Sequence, residues 1–174
     1  MAALGEQADR LERAAADMLA LREQVEGVEW PMAAQYGTEP EASWGPPEVL
    51  AHVQEYLRYW LGEIERVIAA PGPDAVPFGR IADDPVRIGV IGRDRTVPLT
   101  ELFARIESDA RRVAARLRLL TEEEAGRRGL HPTRGEMTVR DQLEPFLVGH
   151  TEGHVVQLRD ALAERQEWDS PPAR

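Results

Sequence analysis

The chain of 174 residues has no cysteine, and none of its 21 basic residues is a lysine. Without cysteine there is no disulfide framework, no thiolate ligand and no cysteine nucleophile, so a metal must be held by histidine, carboxylate or water. Without lysine there is no Schiff-base chemistry; the exclusive use of arginine reads as a coding bias. The sequence also lacks an apolar run of the ~18 residues that a membrane-spanning helix needs, and its first residues form an amphipathic pattern with acidic positions, unlike a leader peptide. A soluble, cytoplasmic protein with no membrane partner is expected. Positive charge is scarce as well. Against 31 acidic residues the 21 basic ones leave a formal charge of -10, which repels a phosphate backbone, and no basic helix or basic-aromatic patch offsets it. Nucleic acid is not an expected partner.

A chain of this length builds one domain with a full core and is too short for two. Residues 1–165 are assigned to that domain and 166–174 to a tail. Leu4, Ala8, Leu11, Ala15, Met18 and Val25 keep helical spacing and predict helix one, ending at Gly27. Residues 28–45 show no steady period and read as an ordered connection whose Trp30 and Trp44 cap the core. Pro46 and Pro47 suit the first turn of helix two, where Val49, Val53, Tyr56, Trp60, Ile64 and Val67 form a stripe that runs until Pro71.

Prolines and glycines crowd residues 71–97, and no helix longer than about two turns is expected there, although Asp84 before Pro85 can start a short one. So long a connection suits a lid or binding loop, in which Arg80, Arg87, Arg93 and Arg95 either meet an anionic substrate or are simply solvated. Leu99, Leu102, Ile106, Ala110, Val113, Leu117 and Leu120 then predict helix three, and Thr121 with Glu124 resembles a capping box. Residues 126–135 read as a loop that leaves His131 exposed beside Pro132, outside any site. Thr138 with Asp141 caps helix four, which runs to about Arg165. No repeat and no sustained strand-like alternation is present. The fold class is all-α, a four-helix bundle.

Helix four carries His150 and His154, which lie about 40° apart around the axis and about 6 Å along it, so both imidazoles can reach one point. Leu143, Leu147, Leu158 and Ala161 share their stripe, which makes it the inward face, and Gln157 sits almost in line with His150. Two neutral imidazoles so placed are either a pair of metal ligands or hydrogen-bonded core histidines. His52, on the edge of the helix-two stripe with Tyr59 and Glu63 following on the same side, makes a set of three that a bundle core can bring together. Such a set would leave a position open on zinc, nickel or another divalent ion. A zinc-peptidase helix is excluded, because Thr151 stands where the catalytic glutamate belongs and Glu152 points away.

Trp44-Gly45-Pro46-Pro47-Glu48-Val49-Leu50-Ala51-His52-Val53, together with Met137-Thr138-Val139-Arg140-Asp141 and the His150, His154, Gln157 spacing, resembles the DinB-like, or YfiT-like, metalloenzymes. The resemblance extends over nearly the whole chain. It implies a four-helix bundle, often dimeric, with a divalent metal held by one histidine on the second helix and two on the last. Carried over position by position, these are His52, His150 and His154. It further implies thiol chemistry, in which a low-molecular-weight thiol such as bacillithiol or mycothiol is joined to an electrophilic small molecule. A metal-coordinated thiol ionises readily at neutral pH, and a chain without cysteine has to take its thiol from a co-substrate. On this reading Gln157 orients a ligand and Tyr56 or Tyr59 lines the pocket.

Two other readings stand beside it. One is a stress-response protein that binds a metal or small ligand without turnover; the other is hydrolysis by a metal-bound water, for which Glu63 is a conceivable but distant base. Gly149 and Gly153, four residues apart inside helix four, either admit a close helix or partner subunit or relieve crowding around His150 or Trp60. A homodimer is expected on the resemblance and on the general frequency of such assemblies.

Overall fold

The computed structural model describes residues 3–31 and 41–169, so the middle of the first connection and the last residues of the expected tail lie outside the described residues. Helix α1 (Leu4–Ala20) buries Leu4, Ala8, Leu11, Ala15 and Met18, and a turn at Leu21 separates it from the short α2 (Arg22–Glu26), which keeps Val25 in the core. Trp44 is buried at the end of the first connection, while Trp30 is half-buried and donates its indole N–H to the Val25 carbonyl at 2.8 Å.

Helix α3 (Pro46–Ala69) starts on its two prolines after the extended Gly45 and ends where Ala70 turns extended ahead of Pro71. Every residue from Pro46 to Leu57 is buried, whichever side of the helix it occupies. A helix covered all round lies at the centre of its domain, and the polar groups it takes inside must be partnered there. Here the connection that follows α3 supplies the partners. Arg80 pairs with Glu55 at 2.5 Å and Arg95 with Glu48 at 3.1 Å, while Arg87 pairs with Glu41. These three arginines are thus tied to carboxylates and are not simply solvated; Arg93, 71% exposed, pairs among the described residues with its neighbour Asp94.

The same connection holds more order than its prolines and glycines suggest. Helix α4 (Pro85–Asp94) runs for 10 residues, nearly three turns, through Gly89 and Gly92. Asp84 caps it as expected, accepting the Arg87 amide at 2.9 Å, and the burial of Arg87 and Ile91 offsets the glycine cost of about 1 kcal/mol each. Helix α5 (Leu99–Leu119) follows the predicted stripe, and Thr121 forms its capping box at α6 (Glu122–Ala125).

Residues 126–135 are not a plain loop, and a small sheet is present where none was expected. Strands β2 (Arg128–His131) and β3 (Gly135–Thr138) form an antiparallel hairpin, and β1 (Val76–Pro77) pairs in parallel with β2. Four-residue strands are too short for alternation to be legible. His131 is consequently buried, not exposed, with its ring stacked on Phe146 at 5.1 Å. Gly129 makes the hairpin fit, since a Cβ there would lie 2.4 Å from Cδ1 of the buried Phe78.

Thr138 forms the second capping box, opening α7 (Val139–Leu143). The predicted continuous helix then widens into a π turn over Glu144–Val148, in which the Gly149 amide reaches the Glu144 carbonyl. Pro145 has no N–H to give to an ordinary α-helical ladder, and a single π turn is a common way to absorb such a gap. Helix α8 (Gly149–Asp169) resumes beyond it and passes the expected end at Arg165. Leu143, Leu147 and Leu158 are buried on its stripe, whereas Ala161 is only half-buried and Leu162 takes the inward place. α1, α3, α5 and α8 pack as the four-helix bundle.

The two helix-four glycines have separate explanations. A Cβ on Gly149 would meet the Glu144 side chain at 2.9 Å and its carbonyl at 3.0 Å, so Gly149 accommodates the π turn. A Cβ on Gly153 would meet no side chain or neighbouring element within 4 Å, so no neighbouring helix uses it among the described residues. Gly129→Ala is therefore expected to lower stability by about 1–3 kcal/mol through overpacking against Phe78. Gly153→Ala should instead raise it by up to about 1 kcal/mol, the propensity gain of alanine in an open helical position. Urea unfolding of the two variants checks both signs.

Candidate metal centre

One inward-facing histidine of α3 and two of α8 come together in one cluster. His52 comes from the buried half of α3, and His150 and His154 come from the first two turns of α8. His150 Nε2 lies 3.0 Å from His52 Nε2 and 3.1 Å from His154 Nε2. The ring positions are set by packing. Trp44 meets His52 edge to face at 5.4 Å, and Tyr56 meets His52 at 5.1 Å and His150 at 4.7 Å. Tyr56 is itself fixed, because its hydroxyl bonds Thr151 Oγ1 at 2.7 Å and Thr151 donates to the Leu147 carbonyl at 2.6 Å. Thr151, which excludes a peptidase helix, thus locks α3 to α8.

Three nitrogens at these separations fit a cation better than they fit one another. A neutral imidazole nitrogen offers either one proton or one lone pair in the ring plane, so one hydrogen bond serves only one of the two contacts at His150. A cation held there would accept a lone pair from each. The outer nitrogen of His154 is arranged accordingly. Its Nδ1 bonds Gln157 Oε1 at 2.9 Å, leaving Nε2 with its lone pair toward the cluster, and Gln157 Nε2 donates to the Glu41 carbonyl at 2.8 Å. His52 Nδ1 is buried with no partner among the described residues.

Burial keeps all three histidines neutral. Desolvation, followed by the neighbouring His154 and Arg87, pushes His52 well below the ordinary histidine value and brings His150 down to about 3. His154 is lowered to about 4, burial outweighing the Gln157 bond that favours its charged form. Neutral imidazole is the form that binds a metal, so the site needs no proton released from these rings at neutral pH.

A fourth donor stands beside them. Glu41, in a short 3-10 turn (Glu41–Ser43), brings a carboxylate oxygen to the cluster, and the four ligand atoms all lie within 4.8 Å of one another. Arg87 holds its carboxylate and Gln157 holds its backbone carbonyl. Sequence reasoning missed Glu41, which lies in an irregular stretch with no periodicity to place it. A cavity of about 280 Å³ opens on the cluster, walled by Tyr56, Trp60, Pro145 and Phe146.

Of the residues singled out from the sequence, His52, His150, His154, Gln157 and Tyr56 meet here. Tyr59 does not: its ring turns under the Arg80 guanidinium, 3.7 Å from it. Glu63 is engaged by Arg66 and by the Gly79 amide, and Glu152 pairs with Arg10 at 2.6 Å on the far side of α8. His131 lies outside the cluster of ligand atoms.

A four-helix bundle with neutral imidazoles converging from its second and last long helices is the architecture of a bundle metalloprotein. The chain belongs to the DinB superfamily, which it matches over residues 5–158. Among solved structures it is similar to YfiT from Bacillus subtilis, with a TM-score of 0.72 and 17% sequence identity, covering 95% of this chain and 88% of that one. That protein is described as a probable metal-dependent hydrolase with an unusual four-helix bundle topology. No curated protein sequence matches the chain. Among the described residues no helix is long and apolar enough to cross a membrane.

The depressed histidine values make the metal-free protein acid-sensitive. Unfolded histidines titrate near about 6.5, so below that pH the unfolded chain binds protons that the folded chain refuses. This stability is fully present above about 6.5 and is lost as the pH falls toward the folded values of about 4 and about 3. The unfolding free energy of metal-free protein, measured in denaturant, is expected to fall between about pH 6.5 and 5, and the slope should shrink in a His150→Ala, His154→Ala variant.

Proposed function

We propose that this chain is a metal-dependent enzyme that joins a low-molecular-weight thiol, of the bacillithiol or mycothiol type, to an electrophilic small molecule. His52, His150 and His154 hold one divalent cation, zinc or nickel. The observation that carries this reading is the convergence of three neutral imidazole nitrogens, 3.0 and 3.1 Å apart, at the end of an aromatic-walled cavity. A divalent cation so held lowers the pKa of a coordinated thiol or water and thereby supplies a nucleophile at neutral pH. The chain's own residues do the rest. Gln157 fixes the tautomer of His154, Tyr56 and Trp44 fix the rings, and Trp60 and Phe146 shield the reacting atoms from bulk water. The thiol comes from the co-substrate, since the chain has none.

Glu41 favours a second reading, hydrolysis. Its carboxylate stands where it can take a proton from an attacking water, a role that Glu63, about three helical turns along α3 from His52, is too distant to fill. The description of YfiT supports the same chemistry.

Metal analysis of protein purified without a histidine tag is expected to find about one divalent ion per chain, as three protein ligands and an open position imply. The His150→Ala, His154→Ala variant should lose it; metal retained in that variant, or none in either protein after incubation with zinc and nickel, overturns the assignment. Turnover that requires an added thiol and survives Glu41→Gln supports transfer. Ester or amide hydrolysis that needs no thiol and falls at least about 100-fold in Glu41→Gln, the upper reach of one acid-base group, supports the second reading. A full metal site without turnover in either assay leaves a binding protein.

A further inference from the structure

Three arginines line the cavity beside the histidines, and they differ in what they have left to offer. Arg87 is committed to Glu41 and to the Ala82 carbonyl, the latter at 2.7 Å. Arg80 gives one nitrogen to both oxygens of Glu55 and has its guanidinium carbon 3.7 Å from the centre of the Tyr59 ring. Arg134 has no carboxylate partner among the described residues; its guanidinium carbon sits 5.2 Å from the centre of the Phe146 ring. That ring is in turn stacked on Trp60 at 4.0 Å, the two planes only 13° apart. The cavity therefore has one flat aromatic wall with an uncommitted guanidinium against it.

We infer that this cavity takes a small organic anion whose charged group is bound by Arg134 while its apolar body lies along Trp60 and Phe146. The inference rests on the reading of the cavity as the substrate side of the metal centre. The state of the arginines supports it. Of the three that line the cavity, Arg80 answers Glu55 and Arg87 answers Glu41, with Asp84 also acting on Glu55, so Arg134 is the lining cation left without a carboxylate partner among the described residues. A guanidinium fork matches the paired oxygens of a carboxylate or phosphate.

Arg134 stands in the exposed turn of the hairpin. His131, buried at the end of β2, receives the Thr133 amide on Nδ1 at 3.3 Å, and Gly135 takes a positive φ of 74° to start β3. The turn between them carries Arg134. His131 is thus a positioning residue for the turn, and the aromatic stack of His131, Phe146 and Trp60 joins the turn to the cavity wall.

Calorimetric titration of the full chain with phenylacetate, phenyl phosphate and the neutral phenylacetamide tests this. At least one anion is expected to bind about tenfold or more tighter than the amide, the scale of one charge-assisted pair, and the tighter one identifies the preferred group. Arg134→Gln should remove the difference with metal content unchanged. Anion preference should persist in the His150→Ala, His154→Ala variant, because Arg134 acts without the metal. Equal binding of all three, no binding of any, or a preference that ignores Arg134→Gln but vanishes with the histidines, overturns the inference. A wild-type chain that takes up no zinc or nickel on incubation and still prefers the anion keeps the inference and removes the metal reading.

Discussion

The first half of α3 is buried on every side, and from that one constraint the site follows. Its inward positions face α8, so the buried His52 meets the half-buried His150 and the buried His154 at the end of the cavity. Desolvation there keeps the rings neutral, and the bond from Tyr56 to Thr151 sets the distance between the two helices. A metal centre in a bundle depends on such pre-set spacing, because ligands from separate helices must arrive together.

The other sides of the same helix explain the rest of the chain. Glu48, Gln54 and Glu55 go inside with α3 and take Arg95, Arg105 and Arg80 as partners. A buried charge without its partner costs several kcal/mol, on the order of 3–5 when one member is removed, so the connection over residues 71–97 is held down by its arginines. That connection brings Arg87 to Glu41, and Glu41 to the histidines. Structural ion pairing and the layout of the site are in this way one network.

What periodicity can report was legible. The stripes of α1, α3 and α5, the capping boxes at Thr121 and Thr138, and the fourfold spacing of His150 and His154 are regular signals along the chain. Where order comes from tertiary contact the sequence was silent. Two- and four-residue strands leave no alternation, and His131 beside Pro132 looked exposed until Phe146 and Trp60 covered it. Helix α4 survives two glycines through Arg87 and Ile91, and Glu41 reaches the site from an irregular turn. Arginines that looked solvated proved to answer carboxylates far along the chain, a pairing no local pattern encodes. The inward face of α8 mixes the polar Thr151, His154 and Gln157 with Val155, Leu158 and Leu162, so its apolar stripe is interrupted and the histidine spacing carries the site.

X-ray absorption spectroscopy of the zinc-loaded chain tests the central claim directly, since it counts the imidazoles around the ion. The account predicts three imidazole nitrogens at ~2.0–2.1 Å, with outer-ring scattering from all three, falling to a different shell in His52→Ala. A shell dominated by oxygen, or one unchanged by loss of His52, would contradict it.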